Sequence, residues 1–312
     1  MTSTTTAPPE RLHRSSLTVP LSNEKFIAKA HLRGADNITL DLEDGVAVNA
    51  KEAARLRLPD AVKSAARGGA TIKIRLNRPL GLLVRDLEAA VIAGVDSLGI
   101  AKVESAGHIR IVSEFVAELE RERGLPPGGI KLSASIETPQ ALSRVHEIAS
   151  ADLRLASIGL GSLDFASACG FAPSFETLLA PKQLVMYAAK AAGIESGGYV
   201  GGIADYTDLE ALRQVIRRSK LYGFHGGGAI HPDQVRVLNE EYGPSVVQVA
   251  DARAIIAMAD EAFADGKGAF AFKGKMIDKP VVDAARKVVA MAEAIEAHEQ
   301  RQRALLAQNQ IS

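Results

Sequence analysis

The stretch Thr71-Ile72-Lys73-Ile74-Arg75-Leu76-Asn77 joins a run rich in β-branched residues to two polar residues, Arg75 and Asn77. Short runs of this kind, bounded by turn residues, are typical of buried β-strands. Comparable runs occur along the chain at 17–19, 37–42, 71–76, 97–101, 131–136, 155–159, 198–200 and 224–230. Amphipathic stretches with apolar residues at helical spacing lie between them, for example at 51–67 and 106–123. This alternation predicts a parallel sheet with helices packed against it.

Polar residues follow nearly every one of these runs, and their positions help to distinguish two folds. A barrel brings all strand ends onto one face, whereas an open doubly wound sheet spreads them along an edge. We therefore predict an α/β fold, a (β/α)₈ TIM barrel, over residues 13–245. Residues 1–12 are expected to be a disordered lead, and 246–312 a C-terminal extension of two helices with a hairpin or extended arm between them. The strand-end residues are Asp41, Glu43, Asp44, Arg75, Asn77, Lys102, Glu104, Glu137, Asp164 and His231.

The composition excludes several functional classes. Lys plus Arg and Asp plus Glu both number 37, and aromatic residues make up 4%, so neither a net positive charge nor aromatic stacking favours nucleic acid. Nothing approaches the ~18 consecutive apolar residues of a membrane span. The single cysteine, Cys169, excludes an intramolecular disulfide and is interpreted as a small packing residue. We predict a cytoplasmic enzyme without nucleic-acid or membrane partners.

Two carboxylates are candidates for a metal site. Glu137 and Asp164 each follow a predicted strand, and consecutive strands of a barrel would bring them together. Mg²⁺ binds one or two protein carboxylates and completes its octahedron with water and substrate oxygens. The alternative is that Glu137 lies in a surface loop beside a capping Thr138 and that Asp164 is an ordinary turn residue.

Other polar groups also have a chemical and a structural interpretation. Asp41, Glu43 and Asp44 form either a solvated turn or a layer that orders metal-bound water. Arg75 either binds a substrate carboxylate in bidentate fashion or forms a structural ion pair. His231 is either an acid–base group or a structural hydrogen-bonding residue.

Taken together, these segments resemble the citrate lyase beta-subunit-like branch of the HpcH/HpaI aldolase superfamily, and especially its citramalyl-CoA and malyl-CoA lyases. The resemblance covers nearly the whole chain, in order. The matching positions are Arg14-Ser15, Val19-Pro20, 41–47, 75–77, 102–105, 136–138, Asp164, Gly223-Phe224, 230–234 and 274–278.

The resemblance implies a Mg²⁺-dependent carbon–carbon lyase acting on a small-molecule CoA thioester or 2-oxo acid, with Mn²⁺ as an alternative metal. It implies assembly as a homotrimer or as a hexamer made of two trimers. Metal ligands would be Glu137 and Asp164, and Arg75 would hold the keto-acid carboxylate. Asp278 would be the catalytic acid that reaches a neighbouring subunit's site. Coenzyme A or substrate would contact Lys25, Lys29, Arg55, Glu43, Asp44, Ile230 and His231, although Lys25, Lys29 and Arg55 alone would be interpreted as a solvated helix face.

Two positions depart from the family pattern, so the identity of the acyl group that is cleaved stays undetermined. Members commonly carry Lys at the place of Gly227, and Asn or Glu at the place of Leu163. Malyl, citramalyl and methylmalyl groups differ by a methyl or two, which a pocket distinguishes by only ~1–3 kcal/mol. Three alternatives compete with the CoA-ester lyase: an aldolase of free 4-hydroxy-2-oxo acids, a citrate lyase subunit acting on an acyl-carrier-protein thioester, and a CoA-binding paralogue without turnover.

Overall fold

The computed structural model describes residues 12–201, 207–264 and 268–311, so nearly all of the predicted lead lies outside the described residues. Seven strands form one sheet in the order β6-β5-β4-β3-β2-β1-β7, and every hydrogen-bonded pair is parallel. The strands are β1 Ser15–Pro20, β2 Asn37–Asp41, β3 Thr71–Leu76, β4 Ser97–Ile100, β5 Lys131–Ile136, β6 Leu155–Leu160 and β7 Gly227–Ala229.

Helices follow the strands and cover the outside of the sheet. They are α1 Glu24–Ala30, α2 Lys51–Leu56, α3 Leu58–Ala66, α4 Leu80–Ala90, α5 Ala106–Glu122, α6 Pro139–Leu142, α7 Val145–Ala149, α8 Ser162–Cys169, α9 Phe175–Ala192, α10 Leu209–Leu221 and α11 Pro232–Tyr242. Several begin at a side-chain cap placed directly after a strand. Thr138 accepts from Ala141 N at the start of α6, and Ser105 accepts from His108 N at the start of α5.

An irregular segment closes the ring between β6 and β7. Glu195 N donates to Ala156 O (2.9 Å), Ile158 N donates to Glu195 O (3.0 Å), and Gly198 N donates to Gly226 O (2.7 Å). Residues 195–198 thus occupy the place of an eighth strand, and the fold is TIM-barrel-like. The predicted strand at 198–200 is wrong: Gly198 has φ +133°, which a regular strand does not allow.

Side chains alternate strictly between the two faces of strands β1 to β5. The face toward the helices carries large buried apolar groups such as Ile72, Ile74 and Leu98. The face toward the barrel axis, which we call the lumen, carries small or polar residues. These are Ser16, Thr18, Asn37, Thr39, Asp41, Thr71, Lys73, Arg75, Ser97, Gly99, Ser133 and Ser135, which β6 continues with Ser157 and Gly159. Bulky branched residues fill the axis of many such barrels, so in these strands the apolar core lies outside the ring.

The predicted extension is formed by helix α12 Val246–Ala264, an antiparallel hairpin of β8 Ala269–Phe272 and β9 Lys275–Asp278, and helix α13 Lys279–Ile311. The prediction of two helices with a hairpin between them is therefore confirmed. The hairpin packs on the two helices around a small core of Ala259, Ile277 and Val282. The domain boundary at 245/246 stays a prediction.

The second half of α13 docks at the amino-terminal end of the barrel strands. Arg14, which is held by Asp36, contacts Glu299 (3.1 Å), and Gln302 donates to Ala35 O (3.2 Å). The extension is thereby fixed to the end of the barrel opposite the strand carboxyl ends. Within the described parts of the chain, no helix combines the length and hydropathy required to cross a bilayer.

Candidate active site

Arg75 and Asp41 form a two-point ion pair at the carboxyl end of neighbouring strands. Arg75 Nε donates to Asp41 Oδ1 (2.7 Å) and Nη2 to Oδ2 (2.8 Å), while Glu43 lies 3.3 Å from Nη2. Asp41 also accepts from the backbone N–H groups of Glu43 and Gly45. Partial burial opposes the charge of Arg75, but the bonds to Asp41 outweigh it and raise the pKa of the guanidinium. The structural ion pair considered for Arg75 is thus observed, while 36% of its side chain stays exposed at the strand-end surface. Its binding of a substrate carboxylate stays a prediction.

Lys102 joins the acidic loop after β2 to the carboxylate after β5. Its Nζ lies 2.6 Å from Glu43 Oε1 and 3.3 Å from Asp44 Oδ2, and its backbone N–H donates to Glu137 Oε1 (3.2 Å). Its φ of +52° is unusual for a residue with a side chain, and such strain clusters at functional sites. Sequence reasoning placed Lys102 at a strand end but gave it no role in the site.

The Glu137 carboxylate is buried against Gly161. A Cβ at Gly161 would lie 2.6 Å from Glu137 Cγ, so only glycine leaves room for the side chain here. Burial raises the pKa of Glu137 to about 7, and the charge of Asp164 adds to the rise, although hydrogen bonds from Ser135 and the Lys102 N–H oppose it. A desolvated carboxyl next to a second acid is typical of a functional site.

Asp164 lies in the first turn of α8, exposed, and close enough for its charge to act on Glu137. The structure therefore brings together the two predicted metal ligands from the ends of β5 and β6. Within the ranges 12–201, 207–264 and 268–311, no group of three or more His, Cys, Asp or Glu side chains could hold a metal ion. A pair of carboxylates is the protein ligand set that Mg²⁺ accepts when water and substrate complete its shell.

The predicted CoA-contacting residues lie in different environments. Lys25 and Lys29 are exposed and one turn apart on α1. Arg55 is buried between α2 and α4, where its Nε donates to Asp86 Oδ1 (2.8 Å) and its Nη1 donates to Glu52 (3.1 Å). The contact with coenzyme A stays a prediction for all three residues.

Ile230 and His231 lie between the end of β7 and the first residue of α11. Their backbone N–H groups both donate to Gln234 Oε1, and the His231 ring caps the helix by accepting from Asp233 N (3.3 Å). The structural interpretation of His231 is thus observed, while both side chains are partly exposed. Their position near the thioester stays a prediction.

Asp278 lies at the junction of β9 and α13, within the extension. Its Oδ1 accepts from Val281 N (3.4 Å), which is the capping role considered for it. Because α13 rises about 1.5 Å per residue, Asp278 lies roughly 30 Å along the helix from Glu299. The hairpin packs against α12 and α13. In a single chain, the Asp278 carboxylate therefore lies among residues of its own C-terminal extension.

Tyr199 explains the departure at Gly227. A Cβ at Gly227 would lie 2.7 Å from Tyr199 Cδ1, so the buried Tyr199 ring occupies the space that a side chain would need. Lys51 is a second residue that sequence reasoning missed. It is buried, and its Nζ donates to Leu42 O and Glu43 O at 2.8 Å, which fixes the loop after β2. Both depend on contacts that no local pattern indicates.

A closed ring of parallel strands, with paired carboxylates, Arg75 and Lys102 at its carboxyl end, defines a TIM-barrel-like protein with an acidic site suited to a metal ion. A family model described as HpcH/HpaI aldolase/citrate lyase matches residues 14–232. The chain belongs to this family, as the resemblance predicted.

Curated relatives and solved structures agree with this assignment. The citrate lyase subunit beta of Leuconostoc mesenteroides subsp. cremoris is 31% identical, covering 91% of this chain and 95% of that protein. An L-malyl-CoA/beta-methylmalyl-CoA lyase of Cereibacter sphaeroides is 32% identical, covering 93% and 98%. The protein CitE of Mycobacterium tuberculosis, solved in complex with magnesium, acetoacetate and coenzyme A, is 28% identical with a TM-score of 0.70, covering 89% and 97%. The prediction of a carbon–carbon lyase is thus confirmed at the level of the family.

Proposed function

We propose that this chain is a Mg²⁺-dependent lyase that cleaves a 3-hydroxyacyl-CoA of the malyl-CoA or citramalyl-CoA type. The products would be acetyl-CoA or propionyl-CoA and a 2-oxo acid. The observation that carries this proposal is the meeting of Glu137, Asp164, Arg75 and Lys102 at one end of the barrel. Magnesium and coenzyme A bound to the related CitE protein support it.

The donor set of this chain fits a divalent cation. Glu137 has a pKa of about 7 because it is desolvated and faces the charge of Asp164. A cation between the two carboxylates would favour the charged form of both. Bound there, Mg²⁺ would supply Lewis-acid polarisation of the substrate's carboxylate and adjacent hydroxyl oxygens; Mn²⁺ would offer the same chemistry.

The protein's own groups would then orient the substrate and move protons. Arg75 would hold the keto-acid carboxylate with the part of its guanidinium that Asp41 leaves exposed. A carboxylate of the site would take the hydroxyl proton as the carbon–carbon bond breaks, and the bonding electrons would form a thioester enolate. Asp278 of a neighbouring subunit would give that enolate its proton.

The thioester would lie over α1 and the start of α11. Lys25 and Lys29 present two exposed ammonium groups one turn apart, which suits the phosphates of coenzyme A. Glu43, Asp44, Ile230 and His231 would line the entrance, with Arg55 supporting the wall. A homotrimer or hexamer would place each extension at another subunit's site, and a cytoplasmic location remains a prediction from the sequence.

Two other functions remain candidates. A citrate lyase beta subunit would act on a citryl thioester of an acyl carrier protein, and several curated relatives carry that name. An aldolase of free 4-hydroxy-2-oxo acids would leave Lys25, Lys29 and Asp278 without a function.

A coupled assay with the purified protein alone tests the proposal. Citramalyl-CoA and malyl-CoA are supplied with and without Mg²⁺, and release of pyruvate or glyoxylate is followed. Mg²⁺-dependent release is the expected result and identifies the preferred acyl group. Absence of release from both thioesters in the presence of Mg²⁺ would favour the carrier-protein or free-acid alternatives.

A further inference from the structure

Lys102 holds its backbone in a conformation that residues with side chains rarely adopt. Its φ of +52° lies in the left-handed region, where the Cβ atom crowds the following carbonyl oxygen. Within the described residues, Lys273 in the turn of the hairpin is the only other non-glycine residue with a positive φ. Contacts with the surrounding structure must therefore stabilise the loop after β4 in this strained form.

The two peptide groups that flank the Cα atom of Lys102 are both held by residues of the neighbouring strands or their ends. The Lys102 N–H group donates to Glu137 Oε1 at 3.2 Å. In the next peptide group, the Val103 N–H donates to Ser135 O at 3.0 Å. The carbonyl oxygen of that same peptide group, which belongs to Lys102, accepts from Arg78 Nε at 3.0 Å. Hydrogen bonds on both sides of Lys102 thus restrain its φ and ψ angles.

Arg78 reaches this loop because it lies between β3 and α4, and β3 pairs with β4. Its guanidinium uses Nε for the Lys102 carbonyl, while Nη2 lies 3.3 Å from Glu104 Oε2. The rigid planar group therefore bridges the backbone and a side chain of the same loop. The Glu104 side chain is 60% exposed, and an exposed ion pair contributes little to stability. The bond to the Lys102 carbonyl is thus the contact that matters for the shape of the loop.

The strained conformation determines where the Lys102 N–H group points. An ordinary φ would differ from the observed angle by roughly 100° or more, which rotates the two flanking peptide groups relative to each other. The N–H bond to Glu137 and the bond from Arg78 to the carbonyl could then not both be kept. Hydrogen bonds from outside the ligand set orient metal-binding carboxylates and affect metal affinity.

We propose that Arg78 is a positioning residue for the candidate metal site. By binding the Lys102 carbonyl oxygen, Arg78 keeps the Lys102 N–H group directed at Glu137 and holds that carboxylate in the orientation that binds Mg²⁺. This inference rests on the proposed function, because it takes Glu137 as a metal ligand. The alternative is that Arg78 forms only a surface ion pair with Glu104 and does not affect the metal site.

Calorimetric titration with Mg²⁺ tests this role without requiring turnover. Arg78→Met should weaken Mg²⁺ binding about tenfold, whereas the loss of a nearby positive charge alone would strengthen it. Glu104→Gln is the matched control, because it removes the ion pair and leaves the bond from Arg78 to the backbone. It should leave Mg²⁺ affinity nearly unchanged, and an equal loss in both variants would assign the effect to the ion pair and overturn the inference.

Two substitutions of Lys102 separate backbone strain from the lysine ammonium. Lys102→Ala removes the ammonium that contacts Glu43 but keeps a Cβ atom, whereas Lys102→Gly removes both the ammonium and the cost of a positive φ. Arg78→Met should therefore weaken Mg²⁺ binding about tenfold in the Lys102→Ala protein and much less in the Lys102→Gly protein. An equal loss in both backgrounds would show that Arg78 does not act through the strained conformation.

Hydrogen exchange at the Lys102 amide of the metal-free protein gives a second readout. Arg78→Met should accelerate this exchange about tenfold, while denaturant unfolding confirms that the variant stays folded. Unchanged exchange would overturn the inference and, where Mg²⁺-dependent cleavage is observed, leave the proposed function intact. Faster exchange in a protein that binds no Mg²⁺ would support Arg78 as the residue that holds the loop and reject the Mg²⁺-dependent lyase.

Discussion

The Glu137 carboxyl, at the end of β5, has a folded-state pKa of about 7 against an ordinary value of 4.5. In the metal-free protein the unfolded carboxyl therefore loses its proton at a lower pH than the folded one. The contribution of Glu137 to the free energy of unfolding should then be largest below pH 4.5. That contribution should be lost as the pH rises through 7. Urea denaturation from pH 4.5 to 8 measures this, and Glu137→Gln should show a shallower decline. Identical slopes in both proteins would contradict the assigned pKa.

Gly161 is expected to be required for metal binding because its missing side chain makes room for Glu137. Gly161→Ala would bring a Cβ within 2.6 Å of Glu137 Cγ and displace the carboxylate. We expect Mg²⁺ affinity to fall about tenfold or more, measured by calorimetry. Gly159→Ala is the matched control, since its Cβ would contact nothing within 4 Å. Unchanged Mg²⁺ binding in Gly161→Ala would remove Glu137 from the ligand set.

At the scale of residues, the sequence indicated which polar residues lie at the carboxyl ends of the strands, and their functions stay predictions. Glu137, Asp164 and Arg75 could be found because parallel strands bring their carboxyl ends together. The role of Lys102 could not, because its ammonium pairs with a loop 59 positions earlier in the chain. The role of Lys51 could not either, because the sequence does not show that its side chain folds back onto the preceding loop. The filling of space at Gly227 by Tyr199 likewise depends on the irregular closing segment.

Helix α5 is tied to the base of β5 and β6 by a buried ion pair. Glu120 binds both Nη atoms of Arg154 at 2.8 and 2.9 Å and accepts from the N–H groups of Gly128 and Ile130. Burial opposes ionisation of Glu120, but these bonds outweigh it and lower its pKa. Its stabilising contribution is therefore present above pH 4.5 and lost as pH falls through the lowered value.

Glu120→Gln should thus destabilise the fold at pH 7 by about 3 kcal/mol, because it leaves the Arg154 charge buried without its partner. Denaturant unfolding measures the change. Glu118→Gln, an exposed position on the same helix, should be nearly neutral. A similar small effect in both variants would show that Arg154 finds solvent when Glu120 is neutral.

At the scale of elements, the sequence predicted the alternation of strands and helices and the hairpin of the extension. It failed at 198–200, where Tyr199 and Val200 between glycines suggested a strand. The ring closes there through two backbone hydrogen bonds between Glu195 and β6 and through the N–H group of Gly198 on the β7 side. Local composition does not distinguish such a closing segment from a regular strand. In both cases the backbone conformation depends on hydrogen bonds to the two flanking strands.

The position of Asp278 leads to a prediction for the whole assembly. If each site combines Arg75 of one subunit with Asp278 of another, then Arg75→Ala and Asp278→Ala should each abolish cleavage alone. When the two variants are mixed in equal amounts and reassembled, they should regain about a quarter of wild-type activity. Half of the sites then contain Arg75, and half of these receive an intact Asp278 from the neighbouring subunit.

The coupled thioester assay measures that recovery. Co-reassembly of Asp278→Ala with Glu137→Gln should behave in the same way. No recovery, from subunits that demonstrably exchange, would place Asp278 in its own chain's site or outside the mechanism.

Docking of α13 under the barrel could not be predicted from the sequence. The Arg14–Glu299 contact joins residues 285 positions apart, and neither residue lies in a pattern that indicates the other. Only tertiary contacts determine that α13 packs against the amino-terminal end of the barrel strands. The sequence therefore predicted the helix but not its position.

The polar lumen has a consequence for how this protein can change over generations. Its stability rests on apolar contacts between strands and helices outside the ring, so replacing one lumen side chain by another small one should leave the fold largely intact. Lumen positions such as Ser16, Thr39, Ser133 and Ser157 can therefore vary with little loss of folded protein. Substitutions in the lumen can therefore change substrate preference during evolution. Selection for a stable fold acts mainly on the residues that face the helices on the same strands.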